Sequence, residues 1–114
     1  MKTPIYHFLK NTVQENGLRF YMPGHKGKGN INALGPIFPY DITEINGADA
    51  LFSASGIIGE SEQNAAALLR ARDTLYSTQG STLCIQTMIR LASVLGDTII
   101  AGRNAHHAFI NTCT

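Results

Sequence analysis

Cysteine is scarce in this chain of 114 residues, and so is charge. The two cysteines are Cys84 and Cys113. One falls within an apolar helical pattern and the other near the end, a placement that excludes a disulfide framework and reads as two free thiols in a reducing cytoplasm. Charged residues make up 15% and the formal net charge is +1, so no basic or acidic field directs the chain to nucleic acid or to an anionic membrane. No apolar run approaches the about 20 residues that span a bilayer. The opening stretch MKTPIYHFLKNTV is interrupted by Pro4, His7 and Lys10 and so lacks a secretory core. Repeats and low-complexity segments are absent too. With 44% hydrophobic residues the composition is that of an ordinary globular protein, at most one small domain in length.

What is present begins with an amphipathic helix over residues 4–16. Thr3-Pro4 is a favourable start, Gly17 a favourable stop, and Ile5, Phe8, Leu9 and Val13 share a face. Tyr6 and His7 then belong to the helix surface. From Phe20 to Gly59 regular structure is not expected. Four glycines and three prolines between Pro23 and Pro39 interrupt every period, and turns are expected around Asn46-Gly47 and Ser55-Gly56. A segment of this kind is a functional loop more often than filler. Helix-forming residues return in ESEQNAAALLRARD, residues 60–73, with Glu60 and Glu62 in the first turn, where the dipole favours them. A strand over residues 74–78 (TLYST), a helix over 81–95 and a second strand over 98–102 (TIIAG) complete the expected α/β pattern. Ile85, Met88, Ile89, Ala92 and Leu95 form the stripe that this helix would bury. The closing AFINTCT carries no helix stop and reads as an element cut in its middle.

Two constellations carry chemistry. Gly80, Ser81 and Thr82 stand where a helix begins, presenting free N–H groups, two hydroxyls and the positive end of a dipole. That set suits a phosphate, and it also suits a plain capped helix. It is no P-loop, because no lysine follows Gly80, and no G-x-G-x-x-G occurs. The second constellation is GRNAHHAF, in which Arg103-Asn104 turns the chain ahead of His106 and His107. Adjacent histidines diverge by about 100° on a helix and rarely share a metal. Zinc would need two further ligands, and neither His7 nor His25 has ligand spacing, so no metal is expected. An imidazole stacked on a flat aromatic ligand is the better fit.

In order along the chain, FYMPGHKGKG, DITEINGADALFSASGIIGESEQNAAALL, STQGST and GRNAHHAF resemble the Orn/Lys/Arg decarboxylases. These are pyridoxal-phosphate enzymes of the aspartate aminotransferase fold. The resemblance runs from Arg19 to Ala108. It implies the N-terminal segment of the large domain of a fold-type-I enzyme, α/β with a mostly parallel sheet flanked by helices and incomplete in this chain. Residues 1–58 would form the N-terminal helix and Gly/Pro-rich arm, and residues 59–114 the start of the cofactor-binding domain. Gly80, Ser81 and Thr82 match the turn that holds the cofactor phosphate, and His106 matches the histidine that stacks on the pyridine ring. His25 and Lys26 match the PGHK motif near the substrate cleft. Where the family continues His-Lys-Ser, this chain has His106, His107 and Ala108.

The chemistry so implied is α-decarboxylation of lysine, ornithine or arginine, releasing CO2 and a polyamine-type amine. It requires a lysine that carries the cofactor, an acid partner for the ring nitrogen, phosphate anchors and a stacking group. Lys2, Lys10, Lys26 and Lys28 all precede the phosphate turn, and none matches the family's cofactor-bearing lysine, so the resemblance assigns no catalytic residue here. The chain reads as an N-terminal fragment, inactive alone, of a cytoplasmic enzyme that is a dimer or larger. Two other readings stay open: a non-catalytic, vestigial interaction module of the same fold, and a phosphate- or nucleotide-binding α/β domain of another family.

Overall fold

The structure is a computed structural model that describes residues 2–15, 17–29 and 33–113. Its elements are α1 (Pro4–Glu15), a 3-10 turn (Phe38–Tyr40), α2 (Ile57–Leu69), α3 (Gly80–Ala92) and α4 (His107–Cys113). They fall into two compact units, Met1–Leu75 and Tyr76–Thr114.

In the first unit α1 packs on α2 and on the 3-10 turn. Ile5, Phe8, Leu9 and Val13 are half-buried, while Tyr6 and His7 are exposed, as the pattern indicates. The helix runs to Glu15, and the expected end at residue 16 lies outside the described residues. The Thr3 hydroxyl turns to the His7 ring, 3.2 Å from Nδ1. Between the helices, Gly47 turns the chain at φ +84°, and a Cβ there would lie 2.9 Å from the Phe8 ring. The expected turn at Asn46-Gly47 is therefore also the place where the loop meets α1.

The α2 helix differs from the expected one at both ends. It starts at Ile57 because Asp49 reaches across the loop and accepts the Gly56 and Ile58 N–H groups at 2.8 and 3.0 Å. Glu60 is in the first turn, but Glu62 lies a turn deeper and is buried. The helix stops at Leu69 because Arg70 adopts a left-handed conformation, φ +54°, and the Ala71 N–H returns to the Ala66 carbonyl. Arg72 and Asp73 form an exposed ion pair beyond it.

In the second unit α3 packs on α4, and Ile89, Ala108 and Thr112 are buried. Here the expected stripe is corrected. Ile89 is buried and Ile85 half-buried, whereas Met88 and Ala92 are exposed and Leu95 lies wholly outside α3. The helix ends at Ala92, not at residue 95. The Ser93 hydroxyl and N–H both bond to the Ile89 carbonyl, and Asp97 accepts the Val94 N–H at 2.8 Å in a turn through Gly96, φ +97°.

The two expected strands are likewise corrected. Among the described residues no strand forms, neither at 74–78 nor at 98–102. A strand is defined by the neighbour it pairs with, and neither segment has one here. Leu75 and Ile100 consequently stand exposed, at 83% and 95%. Among the described residues no helix is long and apolar enough to cross a membrane. Both cysteines are free and exposed.

Candidate functional site

Three clusters hold the residues singled out by the sequence. The first is the start of α3. Gly80 has φ +68°, a left-handed conformation that glycine adopts at little cost, and a Cβ there would meet open space. Gln79, immediately before it, makes no side-chain cap. The N-cap residue therefore offers the first turn no side-chain acceptor, and Ser81 and Thr82 are exposed. The positive end of a 13-residue helix thus presents first-turn donors and two exposed hydroxyls. This set fits a phosphate dianion.

The second cluster is the start of α4. Gly102 to Ala105 form the expected turn, closed by the Ala105 N–H on the Gly102 carbonyl at 3.0 Å. His106 follows with an exposed ring, and its Nδ1 accepts the Ala108 N–H at 3.1 Å. That contact makes His106 the N-terminal cap of α4 and fixes its orientation. An accepting Nδ1 leaves the proton of the neutral ring on Nε2. Capping is a role the sequence reading missed, since a histidine before a helix carries no strong capping signal. No hydrogen bond joins His106 to residues 80–82 among the described residues. They share a unit because α3 packs on α4. An apolar cavity of this unit, of about 450 Å³ against Met88 and Phe109, sits by the other end of α3, apart from the phosphate turn.

The third cluster belongs to the first unit. His25 is the hub of the PGHK turn: its Nδ1 accepts the Gly27 N–H at 3.0 Å, and Nε2 donates to Asp41 Oδ2 at 3.0 Å. Its ring leans on Phe38 at 4.8 Å between centroids. Lys26, at φ +53°, donates its ammonium to the Tyr21 carbonyl. Asp41 stands in the Asp-x-Thr-Glu stretch that carries the resemblance, but the sequence assigned it no role, because 16 residues separate it from His25. Asp49, in the Gly-x-Asp stretch, was likewise assigned no role. It accepts N–H groups from Ala50, Ser55, Gly56 and Ile58. Desolvation works against its charge, but the four backbone donors prevail and hold the carboxyl below its usual 3.8. Among the described residues no group of three or more His, Cys, Asp or Glu is placed to hold a metal ion.

The order of these clusters along the chain is that of a known family. The sequence pattern described as Orn/Lys/Arg decarboxylase, major domain, matches residues 3–113. The chain belongs to the Orn/Lys/Arg decarboxylase family. It resembles named relatives at moderate identity. Arginine decarboxylase of Bacillus subtilis is 31% identical over 96% of this chain and 24% of its own length. Arginine decarboxylase of Bacillus anthracis is 32% identical over 96% of this chain and 24% of its own. The uncharacterized protein YaaO of Bacillus subtilis is 31% identical over 93% and 23%. This decarboxylase-family chain thus spans about a quarter of the length of the curated relatives it matches. No solved structure matches it.

Proposed function

We propose that this chain contributes the N-terminal portion of a pyridoxal-phosphate-dependent decarboxylase for a basic amino acid, with arginine the substrate to test first. The observation that carries the reading is the uncapped, open start of α3 at Gly80, Ser81 and Thr82 in a member of this family. Those three residues would hold the cofactor phosphate through backbone N–H groups and hydroxyls. His106, held by its Nδ1 contact to Ala108, would cover the ring face. When bound, pyridoxal phosphate supplies an electron-withdrawing ring into which the charge left by departing CO2 spreads. His25 and Lys26 would line the substrate cleft, with Asp41 holding the His25 ring in one orientation. The arm of residues 1–58 and the cofactor-domain start at 59–114, a cytoplasmic setting and assembly into a dimer or larger oligomer complete the proposal.

The test separates phosphate recognition from aldehyde chemistry by using pyridoxamine 5'-phosphate, which cannot condense with lysines. Its ³¹P resonance is expected to shift saturably when the chain is added. Pyridoxamine, lacking the phosphate, should bind far more weakly. In Ser81→Ala/Thr82→Ala the affinity for the phosphorylated compound should fall at least about tenfold, as charge-assisted hydrogen bonds are lost. Equal binding of both compounds, or an unchanged double variant, removes the phosphate turn from the account. No lysine follows Gly80 in this sequence, so the 114 residues alone are expected to release no CO2 from arginine.

A further inference from the structure

The turn that holds His25 also closes over a second feature. Gly27, at φ +75°, lies flat against the Arg19 guanidinium: a Cβ there would come within 2.7 Å of Nη1 and 2.8 Å of Cζ. Arg19 Nη1 is buried and has no hydrogen-bond partner among the described residues. An adjoining cavity of about 520 Å³ is lined by Arg19, Lys26 and Lys28, with Val13, Phe20 and Pro39 among its apolar walls. Among the described residues no carboxylate lines it. Three of the chain's nine Lys and Arg residues therefore converge on one pocket in a protein whose net charge is only +1.

A guanidinium pressed onto backbone with a donor unsatisfied is costly to keep unless an anion neutralises it. We propose that Arg19, Lys26 and Lys28 form an oxyanion-binding site, taking the carboxylate or phosphate group of a small organic molecule. The geometry selects that class for three reasons. The planar fork of Arg19 matches the two oxygens of a carboxylate or phosphate, and its immobilisation on Gly27 leaves little side-chain freedom to lose on binding. Lys26 is held by one of its three donors to the Tyr21 carbonyl, which leaves the others for a ligand. Apolar walls strengthen charge pairing beside them, and the volume lies within the about 300–1,000 Å³ of small-molecule sites. Lys26 is shared with the substrate cleft proposed above, whereas Arg19 and Lys28 have no part in that function, and the site stands on the first unit alone.

The experiment is a site-resolved NMR titration of the ¹⁵N-labelled 114-residue chain with inorganic phosphate and, separately, with acetate, at constant ionic strength. The Arg19 Nε–H and Gly27 N–H signals are expected to shift saturably with at least one anion. Saturation by acetate as tightly as by phosphate assigns a carboxylate ligand; tighter phosphate binding assigns a phosphorylated one. Arg19→Gln, read at Gly27, should weaken binding about tenfold, and Lys28→Gln, an exposed and structurally mild change, about threefold. Non-saturable shifts at both positions with both anions overturn the site. So does a Lys28→Gln chain that titrates like the parent. Signals of Ser81 and Thr82 report the phosphate turn separately, so failure of one site is visible without failure of the other.

Discussion

Gly59→Ala is expected to destabilise the Met1–Leu75 unit by about 2–3 kcal/mol, the cost of forcing extra volume into a closed contact. The sign is the informative part. An alanine inside a helix ordinarily gains about 1 kcal/mol over glycine. Here the Cβ would lie 2.0 Å from the Ala54 carbonyl oxygen and 2.9 Å from its carbon. That carbonyl is backbone, so it cannot rotate aside as a side chain would. It belongs to a loop tied to α2 by Asp49, with Ala54 itself at φ +39°. Either the loop lifts from the helix or α2 loses its first turn. Hydrogen exchange of the α2 amides should accelerate, and the thermal midpoint should drop. A variant more stable than the parent would mean that the loop and α2 do not meet this closely. Gly80→Ala is the control, because nothing lies within 4 Å of its Cβ and only the left-handed φ of +68° opposes it.

Asp49→Asn is the second substitution with a large expected effect, and it carries a pH signature. The carboxylate accepts four backbone N–H groups, two on each oxygen. An amide keeps one accepting oxygen and turns a donor toward two of those N–H groups. The φ of +65° at this position is one that asparagine tolerates, so the substitution tests the acceptors and not the backbone. The folded carboxyl titrates below its usual 3.8, so the unfolded chain takes up the proton first as pH falls. The stability it contributes is therefore full well above that value and is lost as pH drops through it toward the lower folded value. Thermal melts of the parent should fall in that acid range, while those of Asp49→Asn should start lower and lose this component of the acid slope. A variant with the parent's acid profile would show that other carboxylates govern it.

Much of the helical content was legible because it rests on local preference. Pro4 at a helix start, the Ile5–Phe8–Leu9–Val13 face and the alanine-rich run of α2 each favour helix without help from distant residues. The turns at Asn46-Gly47 and Arg103-Asn104 were legible for the same reason. The helix ends were harder to read. Asp49 advances the start of α2, a left-handed Arg70 stops it, and Ser93 with Asp97 ends α3 three residues before the expected position. Each of these is a choice between competing hydrogen bonds, and the sequence does not rank them.

The candidate sites divide in the same way. Gly80, Ser81, Thr82 and His106 were singled out by residue type and position. The orientation of His106, by contrast, depends on the Ala108 N–H. Arg19 was visible only as the start of a motif. Its pairing with Gly27 needs the chain to fold back over eight residues and places a guanidinium where no side chain could be.

By itself the amino-acid order determined the family, the helix-forming segments, the phosphate-suited turn and the absence of a bilayer-spanning run, because each is a matter of local composition or motif order. Tertiary structure decided the rest. It settled whether residues 74–78 and 98–102 pair as strands, which carboxylate restrains His25, how four N–H groups converge on Asp49, and why Arg19 Nη1 lies buried against a glycine. Those outcomes depend on which groups meet across the folded chain, and a hydrogen bond or a ladder exists only when both of its partners are in place.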